Sequence, residues 1–272
     1  MFPSVWLLNG TTMRKLNLKD GLKIAREAGL TGIELTAGRS PDATVYPAMT
    51  AEEAACLKER IHAAGLNVMA LGAHRDFSSP GQCGEYARLL ELADLLGCRV
   101  ITAAVPDGCE IERYREGLAK AAHRASELGI TICIENHGKE HGTGRSVLPL
   151  LQAEKGLRLC YDTGNAWYYG GVDPVEDLPA CAGWVGHVHL KDKQGAQNEW
   201  NFPALGTGYI DFPALAALNV WDNCPCASVE IEFTPISVSP EETERAVRAS
   251  VQYLKSLSAG TTDQTIEGGI GL

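Results

Sequence analysis

Eight short apolar runs of strand length recur along the chain, and each is followed by a stretch with helical periodicity. The runs cover 4–8, 32–36, 67–71, 99–104, 131–135, 158–162, 186–189 and 228–232, and the helical stretches cover 17–28, 51–64, 82–96, 111–128, 146–155, 174–182, 211–218 and 240–257. Boundary residues agree. Thr50 and Glu53 spell a capping box, Ser239-Pro240-Glu241-Glu242 opens the last helix, and Gly29, Gly65, Gly97, Gly129 and Gly156 sit just past helix ends. Parallel strands need crossover helices, and a closed sheet leaves no edge exposed. The alternation therefore predicts one (β/α)8 TIM barrel over residues 1–257, followed by a flexible tail at 258–272. A doubly wound open sheet would call for a Gly-rich phosphate loop after the first strand, and Asn9-Gly10-Thr11-Thr12 lacks that pattern.

Composition narrows the partners. Hydrophobic residues are 45% of the 272 and charged residues 21%, enough apolar surface for a large core. The 24 basic residues face 34 acidic ones, for a formal charge of −10 with no basic run, which disfavours nucleic acid and anionic membrane as partners. The opening MFPSVWLLNG has neither a basic n-region nor a cleavage site, and no apolar run is long enough to span a bilayer, so a cytoplasmic location is expected. The nine cysteines are odd in number, and several lie inside apolar runs such as ITICIE and LRLCYD. This fits buried thiols better than a disulfide framework. Cys224-Pro225-Cys226 has no second pair at zinc-site spacing.

In a βα barrel the chemistry sits at the C-terminal strand ends, so a polar residue closing an apolar run is a candidate. Four late runs end this way, at Glu135, Asp162, His189 and Glu230. Strand alternation that turns Glu135 toward the axis also turns Cys133 and Thr131 inward beneath it. The same parity pairs Asp162 with Cys160, His189 with His187, and Glu230 with Ser228. Three carboxylates and an imidazole converging on one axial point would repel and titrate upward unless a cation neutralised them, so one divalent metal ion is expected. Mixed oxygen and nitrogen ligands suit Mn²⁺, Mg²⁺, Co²⁺, Zn²⁺ or Fe²⁺ alike.

The chain resembles the sugar phosphate isomerase/epimerase superfamily, the xylose isomerase-like TIM barrels, over nearly its whole length. The resemblance is carried by I-E-N-H-G at 134–138, D-T-G-N at 162–165, H-V-H-L-K-D at 187–192, P-A-L-G-T-G-Y-I-D-F at 203–212 and V-E-I-E at 229–232. It implies that Glu135, Asp162, His189 and Glu230 hold the metal. It also implies that Glu135 and Glu230 are catalytic, moving a proton through an enediolate of a ketose or related sugar or polyol. Two departures bear on substrate identity. Asn165 stands where many relatives carry histidine, and Gly206-Thr207-Gly208 stands where many read G-E-G.

His74, His137, Asn165 and Lys191 are the candidate substrate-binding residues, with Asn136 beside them in the loop after the fifth run. Lys191 can steady an oxyanion or pair with Asp192 or another loop carboxylate. His187 reads as a satisfied core histidine one layer below His189, and Glu232 as a support for Lys191 or a ligand. Glu34 either reaches substrate from the second strand or pairs with Arg39 or Arg75, two arginines also suited to an anionic group. A metal-dependent dehydratase of a keto-inositol or dehydroshikimate-type substrate is the alternative at the same site. An AP endonuclease-like enzyme is disfavoured by Asn165 and the acidic balance, and a non-catalytic binding barrel by the cost of unneutralised inward carboxylates. The helical faces leave room for a homo-oligomer but show no apolar stripe beyond what the core needs.

Overall fold

The computed structural model describes residues 1–14, 16–233 and 239–260. Eight parallel strands close in chain order: β1 (Trp6–Asn9), β2 (Gly32–Thr36), β3 (Asn67–Gly72), β4 (Val100–Ala104), β5 (Thr131–Glu135), β6 (Arg158–Asp162), β7 (Val185–Leu190) and β8 (Ala227–Val229). β8 pairs back onto β1, with Trp6 opposite Ala227, so the barrel has no free edge. The (β/α)8 expectation holds, and β2, β5 and β6 occupy the residues that the apolar runs predict.

Local sequence explains where the crossover helices begin and end. Thr50 and Glu53 form the reciprocal capping box at the start of Ala51–Ala63. Gly97 closes Pro80–Leu96 with φ 90°, a left-handed conformation that puts its N–H on the carbonyls of Ala93 and Asp94. Three expectations shift. The stretch 174–182 divides into an α-turn, Pro174–Asp177, and a 3-10 segment, Leu178–Trp184, because Pro179 has no N–H to continue the α pattern. The eighth run leaves the barrel after Val229, where Ile231 N–H turns to Thr12 Oγ1 and Glu232 pairs antiparallel with Phe202. Two helices too short to show periodicity, Gly10–Met13 and Thr163–Tyr168, follow β1 and β6. The last helix runs from Pro240 to Gly260, and residues 261–272 of the expected tail lie outside the described residues.

Apolar packing falls into two bodies. The larger lies between strands and helices and includes Leu8, Ile33, Tyr86, Tyr114 and Val188. The smaller is the floor inside the barrel, made of Leu7, Ala70, Val100, Cys133, Cys160 and Cys226, whose mostly small side chains suit the crowded axis. All nine cysteines are free, six of them buried, while Cys56 is exposed. No helix among the described residues is long and apolar enough to cross a membrane.

Candidate active site

Alternation along the late strands lifts a charged layer directly above the floor. Glu135 follows Cys133 by two residues and Asp162 follows Cys160 in the same way, so both carboxylates face the axis. The parallel register sets Asp162 level with His189 and His189 level with Ser228, which leaves Glu230 two residues higher. Glu135, Asp162, His189 and Glu230 thus meet at the C-terminal mouth, none more than 5% exposed.

His189 is the hub of this group. Its Nδ1 lies 3.1 Å from Glu230 Oε2, 3.7 Å from Glu135 Oε2 and 3.8 Å from Asp162 Oδ2. Neither that Nδ1 nor Asp162 Oδ2 makes a hydrogen bond among the described residues, although both are buried. Buried polar atoms without a hydrogen bond are rare because each costs on the order of 1–3 kcal/mol, and these two, held only by ion-pair neighbours, face one point that a cation would satisfy. Glu135, Asp162 and His189 offer donor atoms that all lie within 4.8 Å of one another. Three carboxylates around one imidazole nitrogen form a donor set that fits a divalent cation.

These carboxylates have further partners. Asp162 Oδ1 caps the short helix Thr163–Tyr168 by accepting from the Asn165 N–H at 2.8 Å. Glu135 Oε1 accepts from Asn165 Nδ2 at 2.9 Å, and Glu135 Oε2 lies 3.0 Å from His74 Nε2. Burial opposes ionisation of Glu135, but the imidazoles of His189 and His74 outweigh it and keep the carboxyl well below its ordinary range. Burial pushes Glu230 up to about 7, against the pull of Lys191 and His189. The Lys191 ammonium donates to Glu230 Oε1 at 3.0 Å and Glu232 Oε2 at 2.6 Å, lies 3.6 Å from Asp162 Oδ2, and sits 4.3 Å from the centre of the Phe202 ring. Burial works against this ammonium, yet Glu230, Asp162 and Glu232 keep it charged well above the usual lysine range.

Glu34 closes the layer from the opposite side. Its carboxylate meets His187 Nε2 at 3.0 Å and His189 Nε2 at 3.1 and 3.2 Å, and it accepts from the Ser228 hydroxyl. The alternative pairing of Glu34 with Arg39 or Arg75 does not occur among the described residues. Arg39 reaches Gln82, and buried Arg75 is committed to Glu85 and to the carbonyls of His74 and Gly38. His187 is fully buried, with Nδ1 3.6 Å from Cys226 Sγ. Burial lowers its pKa, but the Glu34 charge overrides that and raises it to about 9. Cys160, His187 and His189 also bring donor atoms together. Both imidazoles, however, are engaged with Glu34, and burial pushes the Cys160 thiol far above thiolate range.

Above the charged layer opens a cavity of about 370 Å³ whose wall includes Glu34, His74, Glu135, His137, His189 and Lys191. Glu230, Glu232 and Trp200 complete the side next to β8. Of the anticipated substrate contacts, His74, His137 and Lys191 reach this wall, whereas Asn165 stands behind Glu135. His137 packs against the Tyr169 ring, 4.9 Å between centres, and burial lowers its pKa. Asn136 is a correction: it is fully buried, and its amide ties Gly142 O and both backbone groups of Asp162, so it steadies β6 rather than facing the cavity. Asp192 does not pair with Lys191 either. It accepts from the N–H groups of Lys193, Gly206, Gly208 and Ile210 and so pins the P-A-L-G-T-G-Y loop. A Cβ at Gly208 would fall 2.3 Å from Asp192 Oδ1, so this approach requires glycine.

Asn9, Thr11, Arg14 and Thr36 also line the cavity and were not anticipated. Asn9 had a usable mark, being the polar residue that ends the first apolar run. Arg14 and Trp200 lie in connections, where periodicity is silent.

Residues 22–257 match the family model described as a xylose isomerase-like TIM barrel. An inosose dehydratase of Geobacillus kaustophilus (strain HTA426) is 33% identical over 150 residues, 48% of this chain and 48% of that protein. The likeness thus spans about half the length of that curated relative. The solved structure of an L-ribulose 3-epimerase superposes with a TM-score of 0.75 at 18% identity, covering 100% of both chains. That of a probable 3-DHS dehydratase from Bacillus anthracis superposes at 0.71 with 17% identity, covering 92% of this chain and 98% of the other. At such identities these two likenesses speak to the fold.

Proposed function

The chain belongs to the xylose isomerase-like TIM-barrel family, and on that premise we propose that it is a divalent-metal-dependent isomerase or epimerase of a ketose or related polyol. The observation that carries this reading is the pair of orphaned buried atoms, His189 Nδ1 and Asp162 Oδ2, flanked by the carboxylates of Glu135 and Glu230. Glu135, Asp162, His189 and Glu230 would hold the ion, which would supply Lewis-acid polarisation of a substrate carbonyl and so acidify the neighbouring C–H. Mn²⁺, Mg²⁺, Co²⁺, Zn²⁺ and Fe²⁺ all suit such ligands.

The chain's own residues supply the proton traffic. Glu135 and Glu230 both reach the cavity wall, so one takes the proton from carbon and the other returns it. His74 and Asn165 fix the two oxygens of Glu135, while Lys191 fixes one oxygen of Glu230 and brings an ammonium to a developing substrate oxyanion. His137 meets a substrate hydroxyl from the wall, and Trp200 limits water from the β8 side.

A metal-dependent dehydratase is the second reading, favoured by the likeness to the inosose dehydratase. It begins with the same proton abstraction and ends with loss of a hydroxyl, for which the Glu230 carboxyl, pushed up to about 7 by burial, is the proton donor at hand. Incubating the protein with keto sugars and keto-inositols in deuterated water, with each metal in turn, separates the two. An epimerase or isomerase yields a product of unchanged formula carrying solvent deuterium, and a dehydratase yields one lighter by a water. Absence of both across the panel counts against each reading.

A further inference from the structure

Glu34 takes no part in the proton traffic or in the donor set, yet it is among the most thoroughly engaged carboxylates in the protein. It is 1% exposed, it sits across the barrel axis from β7, and three side chains converge on it. Both of its oxygens lie within hydrogen-bonding distance of the same nitrogen, His189 Nε2, at 3.2 and 3.1 Å. Ser228 and His187 hold the carboxylate from the floor side, and His187 Nδ1 in turn lies 3.6 Å from Cys226 Sγ. A polar column therefore rises through the barrel, from Cys226 through His187 and Glu34 to His189.

An imidazole bound to a cation must present one bare nitrogen, and the hydrogen bond made by the other nitrogen decides which. A carboxylate accepts only, so the nitrogen facing Glu34 carries the proton. That turns Nδ1 to the opposite edge of the ring, toward Glu230, Glu135 and Asp162 at 3.1, 3.7 and 3.8 Å, where a bound cation would take the place of a proton. We infer that Glu34 is a positioning residue for the metal centre: it holds His189 in the Nε2-protonated form and thereby aims bare Nδ1 at the point the three carboxylates share. This rests on the metal-centre reading above. It adds a residue more than 150 positions distant from His189 in the chain, joined to it only by barrel closure.

A carboxylate that only filled space or balanced charge would matter for stability and leave the tautomer and the metal untouched. The test therefore reads the tautomer and the affinity. The full chain, labelled with ¹⁵N-histidine and loaded with Zn²⁺, is examined by long-range ¹H–¹⁵N NMR. Co²⁺ affinity is measured by chelator competition, with the visible spectrum recorded, for wild type, Glu34→Gln and Glu34→Leu, and circular dichroism identifies folded variants. The expected wild-type His189 is protonated at Nε2. Glu34→Leu loses roughly 10–100-fold in Co²⁺ affinity with a shifted visible band, and Glu34→Gln loses less, because its amide oxygen still accepts from Nε2–H. Should Glu34→Leu not fold, Glu34→Asp, whose shorter side chain withdraws from Nε2, carries the same expectation of weakened binding. A wild-type His189 protonated at Nδ1, or a folded Leu or Asp variant that binds Co²⁺ as tightly as wild type, overturns the inference alone. A wild type that binds neither ion overturns the metal-centre reading and this inference with it.

Discussion

The barrel interior holds two layers built on the same strands, and they are stabilised in opposite ways. The floor, with Leu7, Ala70, Val100, Cys133, Cys160 and Cys226, is apolar and close-packed. Two residues further along, roughly 6.6 Å of strand, Glu135 and Asp162 join Glu34, His189, Lys191 and Glu230 in a layer of buried charge. The floor gains from removal of apolar surface from water, about 1.5–3 kcal/mol for a side chain such as Leu7. The charged layer loses solvation at every group, and each group is tolerated only because others offset it, as Lys191 does for Glu230 and Glu232. Along β5 and β6 close packing and buried charge are thus two residues apart, so substitutions in the two layers should fail in different ways.

The largest contrast is expected at Glu135. Glu135→Gln keeps the size and the hydrogen bond to Asn165 but removes the proposed base, so solvent-deuterium exchange into substrate should fall by roughly 10²–10⁴-fold while the thermal midpoint stays close to wild type. Retained exchange would remove Glu135 from the proton path. Next in size, Leu7→Ala opens the floor and should lower unfolding stability by about 2–5 kcal/mol in urea melts, with metal affinity unchanged. A parallel loss of affinity would show that the layers are coupled. Smallest, Cys160→Ala removes one small buried group and should cost about 1 kcal/mol. It should also leave Co²⁺ binding intact, and weakened binding would move Cys160 from the floor into the metal centre.

Much of this layering was legible in the sequence, because the strand period of two is strict. Once the eight runs are recognised, Glu135 over Cys133 and Asp162 over Cys160 follow directly, and so does the closed barrel. What alternation cannot supply is the partner across the axis. Glu34 was visible as an inward polar residue, but its bonds to His187, His189 and Ser228 join strands far apart in the chain and depend on how the staggered barrel brings heights together. Asn136 was misread for a different reason. It lies beside Glu135, but its amide is consumed by the backbone of β6 and of Gly142, a pairing no spacing reveals. The helix Thr163–Tyr168 is too short to show a period, so the second role of Asp162, as its N-cap, was also hidden.

We propose that one divalent ion belongs at the top of the charged layer. Crystals grown with Mn²⁺ and measured at its absorption edge test it most directly. A single strong anomalous peak coordinated by Glu135, Asp162, Nδ1 of His189 and Glu230 is expected. A peak elsewhere, ligation through Nε2 of His189, or no peak in protein that also fails to bind Mn²⁺ in solution would contradict it.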